Sequence, residues 1–464
     1  MKKNSNFYDK IFTKLKSINL KIIFILVFCI IGVLTLLITK ASTFSINLES
    51  DQGNVSGLAS VINNDNSVSN GSYVLFGNKT SSSTEAYHTC YPYSFCNSNN
   101  QPVLMKGLNI KNVGESPAYT TLSQMTKIKE KGFNIIRLEV HWDVFQPNQG
   151  ENGYDATAFN NLQNAVTNAK QVGLNVIVDP IHGTNKGDCS GTNGRIPSWA
   201  QVVKNGVCQQ RIGAINTNSK PYIQKIATLY ANEPTVVAID LANEIQPLNY
   251  TDDSELLRMY NQLIVNVREI DKDKILMIEP QGGDKLQKAS AIISTITDKS
   301  NIVFSSHFYY GGVHDKSGNI ISGCTAAGYS SSGIICGNKT YESQAGYVNP
   351  MRNDLEAHIK ANLDLLADLN IRMPLLVGEY NIPYGQPNAN QWLQDMTYLL
   401  NKYNIDRTLW SFYNKGYPAG RQCANGFVTT TGGECPETEM SATEWGDSSG
   451  SKPGNWKPWV DLLL

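Results

Sequence analysis

Eight apolar runs, each six to eight residues long and rich in Val, Ile and Leu, recur along residues 103–413. They are VLMKGLNI (103–110), NIIRLEV (134–140), NVIVDP (175–180), TVVAIDL (235–241), KILMIEP (274–280), NIVFSSH (301–307), MPLLVGE (373–379) and RTLWSFY (407–413). Runs this short and this continuous fit strands buried on both faces, as in a parallel sheet. Between them the apolar positions shift to a spacing of three and four, as in TLSQMTKIKEKG (121–132), AFNNLQNAVTNAKQVG (158–173) and SELLRMYNQLIVNVREI (254–270), which predicts amphipathic helices. Gly132 and Gly173 fall directly before the next strand, where a helix ends most easily in a left-handed residue. A last helix is predicted over NWKPWVDLLL (455–464). Eight strand–helix units within about 360 residues predict an α/β fold of the (β/α)8, or TIM, barrel type. A doubly wound sheet would carry a Gly-rich phosphate turn after its first strand, and GLNIKNVGES is not one.

The pattern before residue 100 is different. Ile22–Ile38 is uninterruptedly apolar, IIFILVFCIIGVLTLLI, with Lys21 before it and Lys40 after it. Its length predicts a membrane-spanning signal anchor with the Lys-rich residues 1–42 forming a cytoplasmic tail and anchor. Thr39-Lys40-Ala41 is the alternative, a cleavage site that would make the segment a signal peptide. Either way the rest of the chain is expected outside the cytoplasm, on the extracellular face of the membrane or secreted. Residues 43–99 read as a Ser/Asn/Gly-rich spacer and N-terminal cap, and 100–464 as the catalytic domain.

Composition narrows the partners. The 464 residues carry a formal net charge of -1, with 41% hydrophobic residues and a mean hydropathy of -0.28. Residues 1–42 hold seven Lys and one acid, Asp9, so the remainder has 32 basic and 39 acidic residues and is net -7. No basic field is left to neutralise phosphates, which excludes a nucleic-acid partner. Apart from Cys29, the cysteines fall into four neighbouring pairs, Cys90/Cys96, Cys189/Cys208, Cys324/Cys336 and Cys423/Cys435. An even number without zinc-type spacing points to disulfides in an exported protein. The last three pairs lie in the long connections after strands three (183–220), six (308–350) and eight (414–454). These open on the face where barrel enzymes keep their active sites, so cross-linked loops there predict a stiff-walled cleft.

The ends of the predicted strands carry the chemistry. Strand two offers Arg137, strand three His182, and strand four Asn243 and Glu244; strand six ends in His307 and Tyr309, strand seven in Glu379, and strand eight carries Trp410. A carboxylate at the end of a buried strand is costly unless it is paired or used. Two on separate strands of one barrel suit acid/base and nucleophile work on a single bond, the arrangement of glycoside hydrolysis. His141, His182 and His307 could form a zinc set, but strand-end His with Glu in this pattern is better explained by glycoside hydrolysis, which implies no metal site and no cofactor. Asp179, Asp240 and Glu279 read as structural hydrogen-bond partners; Trp142, Tyr250, Tyr310, Tyr413 and Tyr417 are open between packing and sugar stacking.

Five motifs together, FNIIRLEVHWDVFQP (133–147), DLANEI (240–245), SSHFYY (305–310), LLVGEYN (375–381) and LWSFYN (409–414), resemble glycoside hydrolase family 5, the cellulase family within a clan of retaining (β/α)8-barrel glycosidases. The resemblance covers about residues 100–464 with strand order agreeing throughout. It implies Glu379 as nucleophile, held ionised by Arg137 and hydrogen-bonded by Tyr309, and Glu244 as the acid that becomes the base. It also implies Asn243 on the hydroxyl beside the anomeric centre, His307 and His182 as orienting groups, and Trp410 under the sugar. The chain departs from the family in three places. Two residues separate Asp179 from His182 where the family often has D-x-H, Ile245 replaces a common Pro, and Glu139 stands where Pro often follows R-[LIV]. No role for Glu139 follows from the pattern.

The expected function is a retaining β-glycoside hydrolase acting on polysaccharide or oligosaccharide, foremost an endo-β-1,4-glucanase. Alternatives are a β-mannanase, a β-1,3-glucanase and a glycosphingolipid glycosidase, the last because the strand-two element and NGRIPSWA (193–200) are similar to family members that cleave such lipids. A non-catalytic carbohydrate-binding barrel would be expected to have lost a carboxylate, and a surface scaffold would leave the strand-end cluster unexplained.

Overall fold

The eight predicted strands are all present and pair in parallel around a closed barrel. They are β1 (Lys106–Ile110), β2 (Ile135–Glu139), β3 (Asn175–Asp179), β4 (Val236–Asp240), β5 (Ile275–Ile278), β6 (Ile302–Tyr309), β7 (Leu375–Asn381) and β8 (Asp406–Leu409), with β8 closing on β1. The computed structural model describes residues 59–63, 72–76, 86–183, 189, 194–249, 254–283, 296–309, 335–336, 339–340, 348–368, 372–381, 389–413, 440–445 and 452–464. Every position of β2, β3 and β4 is buried, which is why these segments read as continuous apolar runs rather than alternating ones.

Among the described residues, the helices of nine residues or more are α1 (Leu122–Glu130), α2 (Ala156–Val172), α3 (Gln210–Asn218), α4 (Lys220–Tyr230), α5 (Ser254–Arg268), α6 (Val348–Asp368) and α7 (Ala389–Lys402). Local signals set their ends. The Asp155 carboxylate accepts from the Ala158 amide at 2.8 Å and starts α2. Gly173 ends it at φ 72, with its amide bonded back to the last turn. Gly132 likewise takes φ 106 after α1.

Two predictions about element ends need correction. The last segment is not an α-helix: Pro453–Trp456 is a strand paired with Thr443–Trp445, and only Pro458–Leu463 coils, as a 3-10 helix. Lys457, which precedes Pro458, is extended at ψ 143, as the residue before a proline prefers, so coiling starts only at Pro458. Strand four stops at Asp240, one residue short of the predicted 235–241, and Asn243 and Glu244 sit on the turn beyond it.

The N-terminal mouth of the barrel is plugged. A hairpin of His88–Cys90 and Tyr93–Cys96, bridged by the Cys90–Cys96 disulfide, inserts Phe95 against Met105, Ile135, Ile177 and Ile275. Ser94 Oγ donates to the Leu375 carbonyl at 3.1 Å, and Asp406 Oδ1 accepts from the Met105 amide at 2.6 Å. The Cys189–Cys208 disulfide is also formed. The other two predicted disulfides and the apolar segment Ile22–Ile38 involve residues outside the described set. Among the described residues no helix is long and apolar enough to cross a membrane.

Candidate active site

At the opposite, C-terminal end of the barrel the polar residues converge on Arg137, which is fully buried near the end of β2. Its Nε donates to Asp240 Oδ2 at 3.0 Å, Nη1 to Glu379 Oε1 and Asn109 Oδ1, both at 2.9 Å, and Nη2 to Asn243 Oδ1 at 2.8 Å. Asp179 lies 3.1 Å from Nη2 and Glu279 3.5 Å. Burial opposes the guanidinium charge, but these acids more than offset it and keep Arg137 cationic. Asp179, Asp240 and Glu279 are thus ion-pair and hydrogen-bond partners inside the barrel. Burial raises the two aspartates to about 6 and Glu279 to about 7.

Glu379 lies within β7 with 5% of its side chain exposed. Tyr309 Oη donates to its Oε2 at 2.5 Å, complementing the Arg137 bond on Oε1. Burial disfavours its charge, yet the fields of His307 and Arg137 and the Tyr309 bond together hold it ionised, down to about 2. Glu244 has the opposite character. It keeps 21% side-chain exposure, and burial pushes it up to about 7, helped by the Glu379 and Glu279 charges. An oxygen of Glu244 and one of Glu379 lie within 4.8 Å of each other.

Glu244 adopts φ 47, a left-handed conformation uncommon for a side chain of this type. Its amide donates to Glu279 Oε2 at 2.6 Å, which holds the turn. His307 sits between the acids, Nδ1 at 2.9 Å from Glu244 Oε1 and Nε2 at 3.1 Å from Glu279 Oε1. Burial works against its charge, but Glu279, Glu379 and the Glu244 bond raise it well above its ordinary value. A cationic imidazole therefore occupies the place between carboxylates that a metal ion could otherwise fill. The oxygens of Glu139 and Glu379 with His182 form a second close donor set, within 4.8 Å.

On the other flank, His182 Nδ1 bonds Asp179 Oδ2 at 2.7 Å, and burial holds His182 well below its ordinary value, hence neutral. Trp410 is half-buried beside Tyr309, ring centroids 6.5 Å apart, with Lys111 Nζ 4.5 Å from its own ring centre. All eight residues singled out in the sequence are therefore at one end of the barrel. Trp142 and Tyr413 are core instead: both are buried, and Trp142 stacks on Tyr222 at 5.6 Å. Tyr250, Tyr310 and Tyr417 lie outside the described residues.

Three contributors were missed. Asn109 on β1 accepts from Arg137 and donates to the Gly378 and Thr408 carbonyls at 3.0 and 3.2 Å; the sole signal was one amide inside an apolar strand. Gly283, at φ 80, passes so close that a Cβ would lie 2.7 Å from His307 Nδ1 and 3.0 Å from Glu244 Cγ. The Gly282-Gly283 pair after strand five was its trace in the sequence. Glu115 accepts from His141 Nδ1 and pairs with Arg195 Nη2, at 3.0 and 2.9 Å, on the rim beside His182; nothing in the sequence spacing links these three.

The profile of the cellulase family, glycosyl hydrolase family 5, matches residues 96–416. The chain belongs to this family. No curated protein matches it closely. Among solved structures, an endoglucanase aligns at 15% identity over 78% of this chain and 97% of its own, with a TM-score of 0.50. The Pseudomonas stutzeri endoglucanase Cel5A in complex with cellobiose aligns at 16% identity over 81% of this chain and 94% of its own, also at 0.50. At such identity these structures speak to the barrel alone, whereas membership of family 5 makes the chain a glycosyl hydrolase.

Proposed function

We propose that this family 5 hydrolase cleaves β-linked polysaccharide with retention of configuration, as an endo-β-1,4-glucanase. The observation that carries the mechanism is the proximity of an ionised Glu379 to a protonated Glu244, with oxygens within 4.8 Å. Retaining enzymes hold their carboxyl groups about 5–5.5 Å apart, whereas inverting ones leave about 6.5–9.5 Å for a water. Glu379, fixed by Arg137 and Tyr309, attacks the anomeric carbon and forms an ester bond as the glycosidic C–O bond breaks. Glu244 passes its proton to the leaving oxygen.

Ester formation removes the Glu379 charge. That charge is one of the causes holding Glu244 up, so its loss lowers the affinity of Glu244 for a proton and leaves it a carboxylate. It then takes a proton from water, which attacks the same carbon and restores Glu379. Asn243, anchored by Arg137 and by its own bond to the Gly183 carbonyl at 2.8 Å, is the residue for the neighbouring hydroxyl. His182 and His307 orient the first contacts, and Trp410 forms the floor under the sugar. Neither step calls on a cofactor.

The glucan preference draws on membership of the cellulase family, whose profile matches residues 96–416. Export across a membrane, with residues 1–42 as anchor, draws on the Lys-flanked apolar run and on the Cys90–Cys96 and Cys189–Cys208 disulfides. Reducing-end release from carboxymethylcellulose, mannan, laminarin and a glycosphingolipid tests the reading. Release from carboxymethylcellulose alone supports it, release from another substrate alone replaces the glucan, and folded protein that binds glycan without cleaving any leaves a receptor.

A further inference from the structure

The floor of the site holds a third carboxylate that double displacement does not use. Glu139 ends β2 two residues after Arg137, is fully buried, and has no hydrogen-bond partner for either oxygen among the described residues. A buried polar group left in this way calls for an account. Its Oε2 lies 3.2 Å from His182 Nε2, and its carboxylate, that imidazole and the Glu379 carboxylate have atoms within 4.8 Å of one another.

Charged groups reach Glu139 from every side: Arg137 on its own strand, Asp179 and His182 from the end of β3, Glu379 from β7, and Lys111 beyond β1. Two buried carboxylates so close do not both ionise, and the proton settles on the one with fewer donors. Glu379 accepts from Arg137 and Tyr309; Glu139 accepts from no group, since the Arg137 donors go to Asn109, Asp240, Asn243 and Glu379. His182 points the same way. Its Nδ1 is taken by Asp179, so in the neutral ring the proton sits there and Nε2 faces Glu139 as an acceptor.

We infer that Glu139 is a positioning residue that stays protonated in the working enzyme, offering its O–H to His182 Nε2 and keeping a second negative charge away from Glu379. The chain Asp179–His182–Glu139 then fixes the imidazole beside the donor sugar. The charge balance agrees: burial first, and then the Glu379 charge, raise Glu139 to about 8. Above that range Glu139 ionises next to the nucleophile and the His182 contact loses its proton. The consequence for catalysis rests on Glu379 being the nucleophile; the protonation itself does not.

Two readouts separate these. The first is the infrared difference between wild-type protein and E139Q, followed from about pH 6 to about pH 10. The expected result is the carbonyl stretch of a neutral carboxylic acid, present in wild type at neutral pH, absent in E139Q, and lost through about pH 8. A difference spectrum showing carboxylate at neutral pH would overturn the inference. Should E139Q not fold, H182Q serves instead: a shift of the same acid band supports the link to His182, and an unmoved band overturns it. The second readout is the rate at which dinitrophenyl 2-fluoro-cellobioside labels the enzyme, because its leaving group needs no proton from Glu244. The wild-type rate is expected to fall about tenfold per pH unit above the Glu139 transition, and the E139Q rate to stay level across it. Identical profiles overturn the positioning role. If the probe labels neither protein, the glucoside reading fails, and the infrared band alone decides whether Glu139 holds its proton.

Discussion

His307 stands directly opposite Glu379 in the β6–β7 ladder because the pairing slips by one residue at Gly378. Ser306 pairs with Val377, His307 with Glu379, and Gly378 is passed over. The slip turns an otherwise even ladder so that an imidazole and a carboxylate share one face, with His307 Nδ1 3.7 Å from Glu379 Oε2. Gly378 permits this, since a Cβ there would lie 2.4 Å from Ser305 Oγ and 3.2 Å from His307 Nε2. Gly378→Ala should therefore move His307, lowering stability by about 1–3 kcal/mol and activity by more than stability alone explains. Thermal melts and kcat/KM on the same preparation check it; a variant with wild-type turnover would show that the slip does not set the site.

Arg137 gives a second prediction. Removing it leaves Asp179, Asp240 and Glu379 facing one another without their shared cation. Arg137→Met should cost about 3–5 kcal/mol, the usual penalty for breaking a buried pair from one side. Urea unfolding at neutral pH measures this, and an unchanged midpoint would mean the acids are neutral in the folded protein.

The pH profile of kcat/KM follows from the two carboxyls. Activity needs Glu244 protonated and Glu379 ionised, so on cellulosic substrate the rate should fall as pH rises through about 7. The acid limb should lie far below, since Glu379 titrates near about 2. With Glu379 depressed below its unfolded value, the stability it contributes is present above the unfolded pKa and is lost as pH falls toward the folded one. A profile that rises through neutrality would reverse the two roles.

Asp406 carries a pH effect away from the cleft. Burial raises it to about 7 at the plugged end of the barrel, where it accepts from the Met105 amide. Between its unfolded value and about 7 the folded state keeps a proton that the unfolded state has lost, so stability falls as pH rises. Asp406→Asn retains an acceptor without the charge. It should match wild type near pH 4 and be more stable at pH 8, on the order of a few kcal/mol at most. Equal melting temperatures at both pH values would contradict the assignment.

The sequence revealed the barrel because strands buried on both faces leave short apolar runs that alternate with helical periods, and Gly132 and Gly173 marked helix ends in advance. It also brought the eight polar residues to one end, because strand-end position alone decides that in a barrel. The left-handed turn at Glu244 was not legible, since nothing in LANE marks a positive φ. Nor was the coil at Pro458, where the apolar residues of WVDLLL matched a helical period. The roles of Asn109 and Gly283 depend on contacts across strands, which no local pattern encodes. Glu139 was visible as a departure from the family, yet only its closeness to His182 and Glu379 gave it chemistry.

Double displacement through Glu379 is tested most directly by peptide mapping with mass spectrometry after trapping the enzyme with the dinitrophenyl 2-fluoro-cellobioside. One fluorosugar per chain is expected, on the peptide containing Glu379, with labelling abolished in Glu379→Gln. A sugar carried by Glu244 or Glu139 instead, or turnover of cellulosic substrate by Glu379→Gln, would contradict it.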